Sequence, residues 1–141
     1  MRAAPAARPP VSGQATQSAQ AENALYAFIA AVSARDAVTA AACFTREGCL
    51  ITPDGTAVHG RADIAGILAQ LIARRTEIEV ERLAVRRAGD VALATGHLKM
   101  RSDAAEGTRI AQACDPTIAL RRVEGTWKIA ILAPWAFHER H

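Results

Sequence analysis

Aromatic residues make up only 4% of this chain. Proteins that hold single-stranded nucleic acid stack bases on aromatic platforms, so the scarcity argues against that class. No basic block compensates for it. Lys and Arg number 17 against 14 Asp and Glu, the net charge is +3, and Arg and Glu alternate along the chain. A nucleic-acid partner is therefore not expected. Cysteine is scarce too: Cys43, Cys49 and Cys114 make an odd count with no CxxC pair. With four scattered histidines there is no zinc spacing, and no metal site is expected. Free, reduced thiols suit the cytoplasm. No apolar run approaches the ~20 residues that span a bilayer, so no membrane partner is expected. Arg2 and Arg8 precede no apolar h-region, which reads against a secretory signal. There is no glycine-rich phosphate loop, since PDG and AGD are turns and neither opens a helix with a GK signature. No cofactor is expected.

What is present fits one small domain. Its 141 residues are half hydrophobic and 22% charged, as in ordinary globular proteins. Residues 1–19, MRAAPAARPPVSGQATQSA, hold one large aliphatic residue and read as a disordered arm. Residues 20–138 read as the folded domain and 139–141 as a tail. From Ala21, apolar residues recur at helical spacing through Leu25, Phe28, Ile29 and Val32. Asp36 is placed to cap a short second helix from Ala37 to about Phe44. Cys49 to Thr52 reads as a strand, Pro53-Asp54-Gly55 as a turn, and Ala57-Val58 as a return strand. Arg61 to Arg74 is a third helix, with Ile64, Ile67, Leu68 and Leu71 on its apolar face.

Long β segments follow. Thr76 to Arg86 switches parity between Val80 and Leu83, which marks a bulge. Asp90 to Arg101 is the next strand. Arg109 to Val123 is interrupted at Asp115-Pro116, where proline implies a bulge or an edge. A Glu124-Gly125 turn leads to a last strand from Trp127 to Ala133. Three helices broken by a hairpin, followed by an antiparallel meander, make an α+β protein whose helices cover one sheet face.

The segments ALYAFIAAVSARD, AACFTREGCLITPDGTAVHGRADI, GDVALATGHL and GTWKIAILAPW resemble the nuclear transport factor 2-like superfamily. They are most similar to its SnoaL-like and SgcJ/EcaC-type members, which share the ketosteroid-isomerase-like fold. The likeness runs from about Glu22 to Phe137. It implies a cone-shaped α+β barrel, with three N-terminal helices packed in a strongly curved, mainly antiparallel sheet around an apolar pocket. It also implies a dimer through the outer sheet face. Some members act in aromatic-polyketide and enediyne antibiotic pathways.

The resemblance also implies site residues. The general base of ketosteroid isomerase maps onto Thr52, which cannot take up a proton near neutral pH. Asp54, two residues on, is the nearest carboxylate, and a turn Asp before Gly is more often a backbone cap. The Tyr that relatives place on helix one maps onto Ile29. Tyr26, one turn earlier, lies on nearly the same face and either aims at the pocket mouth or sits at the core edge with its hydroxyl in water. Asp115 falls near the second acidic position and either assists chemistry or satisfies donors at a bulge. By strand parity Gln112 faces inward with Cys114, Ile118 and Leu120. His97 shares parity with Thr95, Lys99 and Arg101, which places it on the solvent or dimer face in a structural role. Trp135 is a candidate pocket wall.

Two functions follow. One is a pathway protein that binds a hydrophobic polyketide-type intermediate and assists its cyclisation or isomerisation by cofactor-free acid/base help from Tyr26, Asp54 or Asp115, with Ile29, Thr52, Gln112 and Trp135 lining the site. The other is a non-catalytic carrier that shields a hydrophobic small molecule. Thr52 in place of a base moves weight to the carrier. A homodimer is expected in either case.

Overall fold

The computed structural model describes residues 8–52, 54–104 and 106–133. Trp135 and the tail 139–141 lie outside the described residues.

Helix α1 spans Arg8–Ser33. The N-terminal arm read as disordered over 1–19 is therefore helical from Arg8. Proline costs no hydrogen bond in a first helical turn, so Pro9 and Pro10 open this helix instead of breaking it. The added turns are also held from the far side of the fold, because Trp127 Nε1–H donates to Gln17 Oε1 at 3.0 Å. Core burial itself begins where the apolar stripe begins, at Ala21.

Helix α2, Ala37–Ala42, starts at the expected cap: Thr39 N–H donates to Asp36 Oδ1 at 3.1 Å. Strand β1 runs Phe44–Ile51, earlier than the apolar run alone suggests, and β2 runs Ala57–His59. Helix α3 covers Arg61–Ala73. Strands β3 (Glu77–Ala88), β4 (Val91–Asp103), β5 (Arg109–Cys114), β6 (Thr117–Val123) and β7 (Thr126–Leu132) complete the chain. Asp115-Pro116 does divide one long segment into β5 and β6, as a residue without an N–H should.

The seven strands form one strongly curved, unclosed mixed sheet. Its order is β2-β1-β7-β6-β4-β3, with β5 pairing beyond β6 on the same edge of β4. All neighbours are antiparallel except β1 and β7, which run parallel. The helices fill the concave face. Leu25, Phe28 and Val32 of α1 and Ile64 and Leu68 of α3 are buried with Leu98, Met100, Leu120, Ile129 and Leu132 of the sheet.

The parity switch in β3 is a bulge. Val80 pairs with Leu98, but Arg82 pairs with His97, so Glu81 is the extra residue. The backbone draws in close there: a Cβ added to Gly96 would lie 2.5 Å from the Arg82 carbonyl oxygen. Gly96→Ala must push β4 and the edge strand β3 apart, and should cost about 1–3 kcal/mol as an overpacking change. Calorimetry would detect this, and an unchanged Tm would show that the bulge is not rigid.

Candidate functional site

The concave face is not covered evenly. On α3, Ile64 and Leu68 are fully buried. Leu71 continues their i, i+4, i+7 line, yet is only half-buried. Ile78 and Val80 pair with the buried Met100 and Leu98 across the strands, and are also only half-buried. Ile29 on α1 has the same standing, packed on the core but not closed in by it. A set of large aliphatic side chains is thus left partly open where α3 ends and β3 begins.

The candidate acid/base groups lie elsewhere. Asp54 sits in the turn between β1 and β2. Its Oδ1 accepts from the Thr52 hydroxyl and from Thr56 N–H at 3.1 Å. Gly55 N–H donates to the Thr52 carbonyl at 2.8 Å, and Thr52 N–H to the Thr56 carbonyl at 2.9 Å. The hydrogen bonds from Thr52 and then Thr56 hold the Asp54 carboxyl below the usual carboxylate range. A fully exposed carboxylate with a lowered pKa is a weak base near neutral pH. Thr52 itself is half-buried, and its hydroxyl is engaged by this same turn.

Asp115 belongs to a different cluster, on the outer face. Inward positions on β4 are Ala92, Ala94, Leu98 and Met100, so His97 and Lys99 point outward, as parity implies. His97 Nδ1 stands 2.5 Å from Asp115 Oδ1, and its Nε2 stands 3.4 Å from Glu81 Oε1. Lys99 Nζ lies 3.2 Å from Glu81 Oε2. His97 is therefore not alone on its strand. It bridges a carboxylate at the β5–β6 break and the bulged glutamate of β3. Sequence parity gives the face of His97 but not these partners, because the register that joins β3, β4 and β5 is a property of the folded sheet.

The inward neighbour of Asp115 is Cys114, fully buried opposite Leu98. Burial, then the charge of Asp115, pushes its thiol up to about 11. Burial also raises the Cys43 thiol. Neither is an activated nucleophile. Among the described residues, no group of three or more His, Cys, Asp or Glu is placed to hold a metal ion.

Gln112 keeps the face that parity gives it. It pairs with the buried Met100 and so shares the inner face, since directly paired residues point the same way. It is nevertheless exposed, because β5 is bonded to β4 alone and forms the rim of the sheet. Tyr26 is 42% exposed and lies beyond Ile29, off the buried stripe of α1. The structure thus brings Thr52 and Asp54 together in one turn, leaves Ile29 on the half-covered apolar face, puts Gln112 at the rim of the inner face in a row with Met100 and Ile78, and sets Asp115 on the outer face beside His97.

Comparison with known proteins agrees with this architecture. The sequence profile of the SnoaL-like domain matches residues 21–132. No curated protein matches the sequence. A Mycobacterium tuberculosis protein of unknown function superposes with a TM-score of 0.82 at 20% identity, over 95% of this chain and 79% of that one. An NTF2-like protein with a cystatin-like fold from Novosphingobium aromaticivorans gives a TM-score of 0.71 at 18% identity, over 91% and 84%. A ketosteroid isomerase-like protein from Erwinia carotovora atroseptica gives 0.71 at 21% identity, over 83% and 93%.

Proposed function

The chain belongs to the SnoaL-like domain family, within the nuclear transport factor 2-like superfamily, and on that premise we propose that it binds a hydrophobic small molecule on the concave side of its sheet. The observation that carries this reading is the half-covered aliphatic set of Ile29, Leu71, Ile78 and Val80. Sites for small molecules are concave and mainly apolar, with few polar groups. Thr52, at the end of β1, and Trp135, beyond β7, are the further wall residues proposed. The ligand is an intermediate of a secondary-metabolite pathway of the polyketide or enediyne type, the setting that the family resemblance implies.

Of the two functions open at the sequence level, the carrier is favoured. Asp54 is held ionised in a turn, Tyr26 is exposed, and Asp115 is on the outer face beside His97. A general base needs a pKa near the working pH and a place within reach of the ligand. Neither Asp54 nor Asp115 combines the two. The protein binds and shields its ligand in this reading, and the free thiols fit a reducing compartment.

The test is a titration with 2-naphthol, a planar aromatic probe, followed by tryptophan emission. Saturable quenching that is weakened by Trp135→Ala supports the reading. Asp54→Asn and Asp115→Asn should bind like the parent. Turnover of a polyketide-type substrate that either Asn variant abolishes would restore the catalytic alternative.

The outer face supports a second copy as partner. Leu93 pairs with Ala119, Ala119 with Ile131, and Ile131 with Cys49, making one row across β4, β6, β7 and β1. Within and beside this row, Val91, Leu93 and Ile131 are 52%, 47% and 43% exposed. An apolar stripe on an open sheet is commonly covered by a two-fold mate. Light scattering should report a dimer, and Ile131→Lys should shift it to monomer. A parent that is monomeric at high micromolar concentration would refute this arrangement.

A further inference from the structure

A cleft of about 470 Å³ lies between the start of β1, the start of α3 and the β6–β7 hairpin. It shares no residue with the half-covered apolar set, and no reading above uses it. Arg46, Arg61 and Lys128 bring three cations to its lining. None of them has a carboxylate within ion-pair distance among the described residues. Glu124 is the one acid of the lining among the described residues. Three cations against one carboxylate leave two positive charges. A further cation stands beside them: Arg121 pairs with Lys128 across the hairpin and so shares its face.

The second observation is how these cations are held. Arg61 Nε and Nη2 donate to the Phe44 carbonyl at 2.9 and 2.7 Å, and Lys128 Nζ donates to the Ala42 carbonyl at 3.0 Å. Neutral carbonyls fix both heads in place without cancelling their charge, and each head carries more N–H donors than these contacts use. Arg46 and Arg61 are exposed and Lys128 is half-buried, so a ligand can reach them from solvent. Helix α3 begins at Arg61, which sets the positive end of its dipole beside the cleft. The carbonyl end of α2 opposes it, and Lys128 already caps that end at Ala42.

We propose that this cleft binds a small phosphate monoester, whose phosphate oxygens accept from Arg46, Arg61 and Lys128. Guanidinium forks match phosphate geometry, and an ammonium adds a point charge. A phosphate monoester loses its second proton near pH ~6, so at neutral pH its double charge matches the two uncompensated cations. Thr45, Val123 and Thr126 complete the lining and leave room beside the phosphate for a small polar body. Charges in so open a setting are screened by water and salt, which keeps the expected affinity modest, in the millimolar range.

The experiment titrates the full chain, at constant ionic strength, separately with glycerol 3-phosphate, inorganic phosphate and glycerol, read by amide NMR shifts. Glycerol 3-phosphate should saturate, moving the amides of Thr45, Arg46, Arg61, Thr126 and Lys128. Glycerol should move none of them, and inorganic phosphate should bind no more tightly than its ester. Arg46→Gln and Lys128→Gln should each weaken the ester by about fivefold. Glu124→Gln should tighten it by about twofold, because the one opposing charge is removed. No saturable shift, shifts confined to other residues, glycerol binding as well as its phosphate, inorganic phosphate binding more tightly than the ester, or weaker binding by Glu124→Gln would each overturn the proposal. None of these outcomes touches the naphthol titration, which reports the concave face independently.

Discussion

Phe44→Ala should cost about 3–5 kcal/mol and lower Tm by about 10 °C or more in a domain of this size. Phe44 is fully buried and stands edge-on to Phe28, with ring centroids 5.7 Å apart. It opens β1, the strand that joins the helical layer to the parallel pair with β7. Its carbonyl is a second anchor: Arg61 Nε and Nη2 both donate to it, at 2.9 and 2.7 Å. Ile129 N–H donates to the preceding carbonyl, that of Cys43, at 2.8 Å. Removing the ring leaves a cavity at the meeting point of α1, α3 and the sheet. Scanning calorimetry reads the effect directly, and a drop of only a degree or two would mean that the site collapses around alanine or that the core is centred elsewhere.

Leu71→Lys should weaken 2-naphthol binding by at least about tenfold, the loss expected when one leucine contact is replaced by a charge. The fold should survive. Leu71 is half-buried, and a lysine there can extend its ammonium to water while its stem stays packed. Circular dichroism and Tm near the parent's, together with lost binding, would separate a site defect from unfolding. Unchanged binding would exclude the α3–β3 end of the concave face as the site.

The fold was readable from local chemistry at most points. Asp36 caps α2, the parity switch in β3 is the Glu81 bulge, and Asp115-Pro116 parts β5 from β6. Each is decided by residues within a few positions of one another, which is why a single sequence suffices. The phenylalanine before the first strand and the arginine that opens α3 are visible as parts of a family pattern. Their contact is not, because it joins residues 17 positions apart.

The extension of α1 to Arg8 has a related cause. A segment with one large aliphatic residue has no local signal for burial, and the Gln17–Trp127 bond spans 110 positions. The candidate site was less legible than the fold. Parity placed His97 outward and gave Gln112 its face, but not its exposure at the rim of β5. Nor could spacing show that Asp115 meets His97, which also approaches Glu81. Those are facts of strand register and sheet curvature, which arise only when distant segments pair.

The central claim is that the concave face holds a hydrophobic small molecule. Amide and methyl NMR shifts of the full chain with saturating 2-naphthol test it most directly. The account predicts saturable shifts at Ile29, Leu71, Ile78 and Val80, with little change at His97, Lys99 and Leu93 on the outer face. Shifts confined to the outer face, or no saturable change up to the solubility limit of the probe, would contradict it.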